Sequence, residues 1–183
     1  MSEEPSLSRS FPRPGSVEYK FLFADKEQKQ KSLKRWKRLN KYFTIPFYKI
    51  GFIPLIGGGK FILLLFTKGR KTGKQRITPL EYRTKDGIIH VAVGRGKKAH
   101  WFQNMLANPD SVKIRKGFKK FPVKFEVVES IEEKNEFLQW YVQKFAFDAG
   151  FLFGWDRKKD NPETADFTSF TKLLQIVRFY PKH

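Results

Sequence analysis

Cysteine is absent from the 183 residues of this chain. That absence excludes disulfides, thiolate metal sites and cysteine nucleophiles, and it suits a reducing cytosol. Long apolar runs are missing as well. Residues 43–56 are interrupted by Lys49 and Pro54, and the run 61–66 ends after six residues, well short of the ~20 that span a bilayer. The opening MSEEPSLSRSFPRPGS has no apolar core segment, so residues 1–16 are expected to form a flexible tail and not a signal peptide. Acids are scarce: eighteen Asp and Glu stand against thirty-seven Lys and Arg, a formal charge of +19. Such an excess points to anionic partners, whether nucleic acid, an anionic membrane or a polyanionic small molecule.

Several catalytic signatures are missing too. There is no GxSxG elbow, the carboxylates are scattered, and His90, His100 and His183 have no metal-ligand spacing. A P-loop is not met: only three residues separate Gly69 from Gly73, Gln75 follows Lys74, and Pro79 lies in a β-type run where a helix would have to open. An enzyme of this composition would take its chemistry from a cofactor.

What is present suffices for one domain: 40% apolar residues with 20 phenylalanines can fill a core. Val17 to about Phe43 has helical spacing. Eight Lys or Arg lie between Lys26 and Lys41 with one acid, Glu27. Such a basic amphipathic helix either rests on an anionic membrane or packs its aromatic side on the domain. Thr44 to Lys60 holds Pro46, Pro54 and three successive glycines, which predicts an apolar loop or lid. The expected organisation is therefore a tail at 1–16, a basic helix and apolar loop at 17–60, and a β domain at 61–183.

Within that domain, strands are expected at Phe61 to Thr67, Gln75 to Arg83 and Ile88 to Val93, joined as an antiparallel meander. A short helix, Lys98 to Ala107, stops at Asn108-Pro109, and strands follow near Ser111 to Arg115 and Lys119 to Val128. Ser130 and Glu133 have capping-box spacing and open a helix expected to end near Gly150. Phe151 to Thr171 is irregular, and Leu173 to Tyr180 is a closing strand. The expected class is mainly β (α+β), a barrel with peripheral helices.

Two basic glycine turns stand out, GRKTGK at 69–74 with Arg76 beyond it, and GRGKK at 94–98. In a meander they would lie at the same end of the sheet. Glycines admit close backbone approach, arginines grip oxygens in pairs, and a helix N-terminus near Lys98 adds a favourable dipole, so the pair suits a phosphate. The residues alone leave open the alternative of two ordinary solvated turns.

The stretches LLLFTKGRKTGKQRITPLEYR and GIIHVAVGRGKKAHWFQNMLANPDSVKI closely resemble the deazaflavin-dependent nitroreductases, also described as F-420H2-dependent quinone reductases, of the split β-barrel flavin-binding superfamily. The resemblance runs from about Phe61 to Lys116 and, more weakly, to the terminal LLQIVRFYP. It implies a split β-barrel of the FMN-binding-like type and coenzyme F-420 as cofactor. Arg70, Lys71, Thr72, Gly73, Lys74 and Arg76 would hold its phosphate and acidic tail. Thr78, Pro79 and Leu80, with Leu65 and Phe66, would border its ring, while Ala92, Val93, Gly94, Arg95 and Gly96 would run along it through their backbone. Trp101, Phe102 and Asn104 would complete the site.

The resemblance further implies hydride transfer to a quinone or nitroaromatic acceptor. Tyr141 and Tyr19 are candidates for a proton donor, although solvent can serve instead. Gly94 stands where the family commonly has Ser, His100 replaces a frequent proline or apolar residue, and the chain after Gly150 departs most. FMN or haem in the same barrel, and a nucleic-acid-binding module, are the competing readings. A homodimer and peripheral contact with the inner membrane face complete the expectations.

Overall fold

A computed structural model describes residues 10–23, 25–94 and 96–182, without the side chains of Phe21 and Leu22. The helices in chain order are α1 (Val17–Phe23), α2 (Lys26–Leu39), α3 (Ile45–Lys49), α4 (Phe52–Leu55), α5 (His100–Ala107), α6 (Ile131–Lys144), α7 (Ala146–Phe153) and α8 (Thr168–Thr171). The strands are β1 (Ile62–Lys68), β2 (Gln75–Glu81), β3 (Arg83–Lys85), β4 (Ile88–Val93), β5 (Lys113–Lys116), β6 (Lys119–Val128) and β7 (Gln175–Pro181). The chain divides into two compact units, Met1–Lys29 with Glu129–Leu174, and Gln30–Val128 with Gln175–His183.

The second unit holds the whole sheet, ordered β2-β1-β5-β6-β7-β4-β3, with every neighbouring pair antiparallel. Strand side chains alternate between faces, and the residues sort accordingly. Leu63, Leu65, Ile114, Val91, Val93, Val177 and Phe179 point to one side and form the main core with Phe102 and Met105 of α5. Leu64 and Phe66 point to the other side, where Tyr48 of α3 packs on them. The expected α+β split barrel with peripheral helices is what the chain forms.

The expected meander does not form. The run from Gln75 to Arg83 breaks at Tyr82, whose N–H donates to Phe61 O at 2.9 Å and whose hydroxyl donates to Gly59 O at 2.7 Å. Beyond this corner the chain leaves β2 at one edge of the sheet and enters β3 and β4 at the other. Asp86 and Gly87, both at positive φ (52° and 78°), close the β3–β4 hairpin as such a turn requires.

The helical segments also differ from expectation. The single helix predicted over residues 17–43 is two, because Asp25 caps α2 by accepting the Gln28 N–H at 2.7 Å, as a capping carboxylate does. After Leu39 the backbone stays helical through a π-helical turn, Asn40–Thr44, and into α3. The predicted apolar loop is therefore a set of short helical turns, α3, α4 and a 3-10 turn at Gly58–Lys60, punctuated by Gly51 and Gly57 at φ 90° and 87°. Tyr48 pins this segment to the barrel. Its hydroxyl donates to Ile62 O at 2.9 Å and accepts the Gly117 N–H at 2.8 Å.

In the first unit, residues 10–16 of the expected tail are packed, while 1–9 lie outside the described residues. Phe11 is buried and stacks on Phe167, and both outer nitrogens of the Arg13 guanidinium bond to the Asp160 carboxylate. Ser130 caps α6 by accepting the Glu133 N–H. The helix expected to reach Gly150 breaks at Phe145, where φ is −125° and ψ 49°, and resumes as α7.

Candidate functional site

The first basic turn closes on itself. The Gly69 N–H donates to Lys74 O at 2.9 Å, and the N–H groups of Gly73 and Thr72 both donate to Gly69 O, at 2.8 and 3.2 Å. Gly73 takes φ +65°, and a Cβ on Gly69 would lie 3.0 Å from Thr72 Oγ1 and 3.2 Å from Lys74 O. Larger residues would open the turn at either place. Arg70, Lys71, Lys74 and Arg76 are all exposed on it, and among the described residues none of the four forms an ion pair with a carboxylate.

Helix α5 holds this turn in place. Asn104 is only 8% exposed, and its Oδ1 accepts both the Arg70 backbone N–H at 3.1 Å and Arg70 Nη1 at 3.3 Å. One turn of helix later, Asn108 Nδ2 donates to Lys68 O at 3.3 Å. The second basic turn, a 3-10 turn at Gly96–Lys98, leads into the same helix, and Gln103 Nε2 donates to Lys97 O at 3.1 Å. Consecutive residues of α5 thus fasten one turn each. The two turns are neighbours because of this helix, not because of a meander.

The remaining predicted residues separate by face. Leu65 lies in the main core and pairs with Thr78 across the β1–β2 ladder, so Thr78 and Leu80 share its side. Phe66 and Pro79 face the opposite way, and Phe66 is covered by the Lys120 ammonium 3.9 Å above its ring. The side chains of Leu65 and Phe66 therefore face opposite sides of the sheet. Val93 and Phe102 are core residues, Trp101 is half-buried against that core, and Ala92 is exposed. Gly94 is half-buried and Gly96 buried at φ 53°, whereas Arg95 lies outside the described residues. Tyr141 and Tyr19 belong to the other compact unit, where Tyr141 is buried among Phe137, Phe145 and Phe153 and Tyr19 packs on Phe23.

Among the described residues of this unit, Tyr48, Tyr82 and His90 are shifted, each chiefly by burial. Burial pushes the Tyr48 phenol up and the Tyr82 phenol up to about 12, so both remain hydrogen-bond donors at neutral pH. Burial lowers His90; its Nδ1 contacts Ile88 O at 3.0 Å and its Nε2 accepts from Arg178 Nε at 3.4 Å. That arrangement assigns the neutral Nδ1–H tautomer and gives His90 a structural place in the sheet.

Residues 54–150, just over half of the chain, match the F-420H(2)-dependent quinone reductases. The chain belongs to this family. An F-420H(2)-dependent quinone reductase of Mycobacterium tuberculosis (strain H37Rv) is 40% identical over 72 residues, which are 37% of this chain and 47% of that protein. The chain thus spans about half the length of the curated relative it matches. A solved F-420-H2 dependent reductase (FDR-A) aligns over 65% of this chain and 93% of its own, at 24% identity and TM-score 0.42. A solved domain-swapped dimer aligns over 65% and 79%, at 24% identity and TM-score 0.43.

For a member of the quinone reductase family the decisive question is whether these residues suit a phosphate-bearing deazaflavin. Three features say they do. The Gly69 turn leaves little room for a Cβ, four cations surround it without carboxylate partners among the described residues, and Thr67 Oγ1, buried on the core-facing side of β1 opposite Arg76, has no hydrogen-bond partner among the described residues. A buried polar atom without a protein partner is costly, and a ligand's polar edge would satisfy it. Thr67 and Gln103 lie inside the two stretches that carry the family resemblance, but as uncharged residues they were not singled out there. The strand parity that puts Thr67 beside Leu65 was the available signal.

Proposed function

We propose that this protein is an F-420H2-dependent reductase that acts on a quinone-type acceptor. The observation that carries the reading is the cation-lined Gly69–Lys74 turn, locked to α5 through Asn104, in a chain of the quinone reductase family. Arg70, Lys71, Lys74 and Arg76 would neutralise the phosphate and acidic tail of the cofactor, and the backbone of Gly94 and Gly96 would let it lie close. Thr78 and Leu80, on the core-facing side of β2, would border its ring, with the Thr67 hydroxyl bonding to its polar edge. When bound, F-420H2 would supply a hydride to the acceptor, and that hydride with one proton from solvent converts a quinone to its hydroquinone. The protein's own residues bind, orient and exclude water, and no side chain is required to move a proton. A nitroaromatic acceptor and peripheral contact with an anionic membrane belong to the same reading.

Binding of F-420 and of FMN, followed separately by fluorescence titration, decides the cofactor, and stopped-flow oxidation of F-420H2 with a menaquinone analogue or a nitroaromatic decides the acceptor. Expected are micromolar or tighter F-420 affinity, weaker FMN binding and faster turnover with the quinone. No detectable F-420 binding at micromolar concentrations refutes the proposal.

A further inference from the structure

In the first compact unit, residues 10–13 lie as an arm in a groove made by residues 153–167. Two residues of the arm are held through both backbone and side chain, which is how peptide-recognition sites divide affinity from specificity. The N–H groups of Phe11 and Arg13 donate to Asp166 O and Phe153 O, both at 2.9 Å, and Pro12 between them has no N–H to place. Phe11 is 2% exposed, its ring centre 5.2 Å from those of Trp155 and Phe167. Arg13 donates to Gly154 O at 3.1 Å and to both oxygens of the Asp160 carboxylate, and its guanidinium lies 4.6 Å from the Phe11 ring centre.

The groove holds its shape through bonds that do not involve the arm. The Asp156 N–H donates to Asp160 Oδ2 at 2.7 Å and the Asp160 N–H returns to Asp156 O at 2.8 Å. Asn161 accepts the Glu163 N–H, and Phe153 meets Phe170 edge to face at 5.4 Å. With the arm seated, the Asp160 side chain is only 9% exposed, and a carboxylate so enclosed calls for a cation. Its two-point contact selects the arginine fork over a lysine ammonium. Gly154 makes the close approach possible, because a Cβ there would meet Arg13 Cβ at 3.0 Å. Beyond the arm, Pro14 and Gly15 are exposed, Gly15 at φ 90°, and they separate it from α1, which Ser16 caps.

We propose that this groove is a recognition site for an aromatic–proline–arginine segment of a partner protein, and that residues 10–13 are its intramolecular occupant. Trp155 and Phe167 read the aromatic ring, and Asp160 with Gly154 O reads the arginine. The arm exchanges without unfolding its neighbours, since the groove bonds to itself and the Pro14-Gly15 turn disconnects the arm from α1. A tethered occupant has an effective concentration on the order of millimolar. A partner therefore enters only when it binds more tightly than the arm or when the arm is drawn away, so the arm sets a threshold for docking. The proposal uses none of the cofactor chemistry.

Fluorescence anisotropy of a labelled peptide SFPRPGS, the sequence of residues 10–16, tests this on the full chain without cofactor. The double variant Phe11→Ala and Arg13→Ala empties the groove, and it should bind the peptide about tenfold or more tightly than wild type, whose own arm competes. Alanine in place of the peptide's phenylalanine or arginine should weaken binding about tenfold or more. Adding Asp160→Asn to the double variant should remove the preference for arginine over lysine at that place in the peptide. Arg13→Ala alone keeps Phe11 in its slot and serves if the double variant melts below the assay temperature; its peptide affinity should lie between wild type and the double variant. No peptide binding by the folded variants, equal binding by wild type and variants, or equal binding of a scrambled peptide overturns the proposal. So does a wild-type dimer that the peptide dissociates, because the groove then belongs to the arm of a second copy.

Discussion

Replacing Asn104 separates the positioning of the basic turn from its charge. In Asn104→Ala the Arg70 N–H loses its acceptor, at 3.1 Å, and the guanidinium loses one at 3.3 Å. The backbone bond contributes about 1 kcal/mol net. The guanidinium bond adds only a few tenths, because Arg70 is exposed and water replaces the partner. Alanine returns roughly 0.5 kcal/mol through its helix propensity in α5. The net loss is about 1 kcal/mol, a fall in melting temperature of roughly 2–4 °C for a chain of this size. Cofactor affinity should suffer as well. The turn keeps its internal bonds to Gly69 and Lys74, so about one residue of backbone freedom, ~1–2 kcal/mol, must be removed on binding, which raises the F-420 Kd about tenfold. Asn104→Asp keeps the acceptor and adds an ion pair to Arg70. It should melt at or above the wild-type temperature yet bind F-420 more weakly, because a negative charge now stands beside the anion. Differential scanning fluorimetry and fluorescence titration read both quantities. Wild-type Kd and melting temperature in Asn104→Ala would refute the assignment of Asn104 as the positioning residue.

Tyr48→Phe keeps the ring but leaves the Gly117 N–H and Ile62 O without partners; a loss of about 2 kcal/mol is expected in denaturant titration, and an unchanged midpoint contradicts the anchoring role. His90, held neutral by burial, contributes stability that is fully present above its unfolded pKa of ~6.5 and lost as pH falls through its lowered folded value. Melting temperature should therefore drop below about pH 6.5, with a shallower slope in His90→Gln, and parallel slopes rule the linkage out. Tyr82 titrates in the opposite sense. With its phenol at about 12, its share of stability is present below the unfolded value of ~10 and lost as pH rises towards 12. Phenolate absorbance should show a late-titrating component, shared with the raised Tyr48, that Tyr82→Phe diminishes, and a spectrum complete by pH 11 refutes it.

Much of the local structure was legible in the chain. The Lys85-Asp86-Gly87 turn, the stop at Asn108-Pro109 and the Ser130 cap each depend on a few neighbouring residues, and all three occur where the sequence puts them. The capping of α2 by Asp25 was equally local and readable, yet the helical spacing on both sides masked it. The meander was not readable. Whether β2 continues to pair or hands over to β3 depends on Tyr82 finding Phe61 and Gly59, some twenty residues earlier.

The sequence by itself determined that the chain would be strongly cationic, that two basic glycine-containing stretches would follow strands, and that residues 54–150 would match the quinone reductase family. These follow from composition and from contacts within a few residues. Only the tertiary structure decided that the two turns share α5, that Asn104 serves Arg70, that Leu65 and Phe66 part to opposite faces, and that the apolar stretch after Phe43 is fixed by Tyr48, with Ile45 and Ile53 packed inward and Ile50 and Ile56 exposed. The physical reason is distance along the chain. Burial and strand pairing are set by partners that the sequence places far away, and only folding brings those partners into contact.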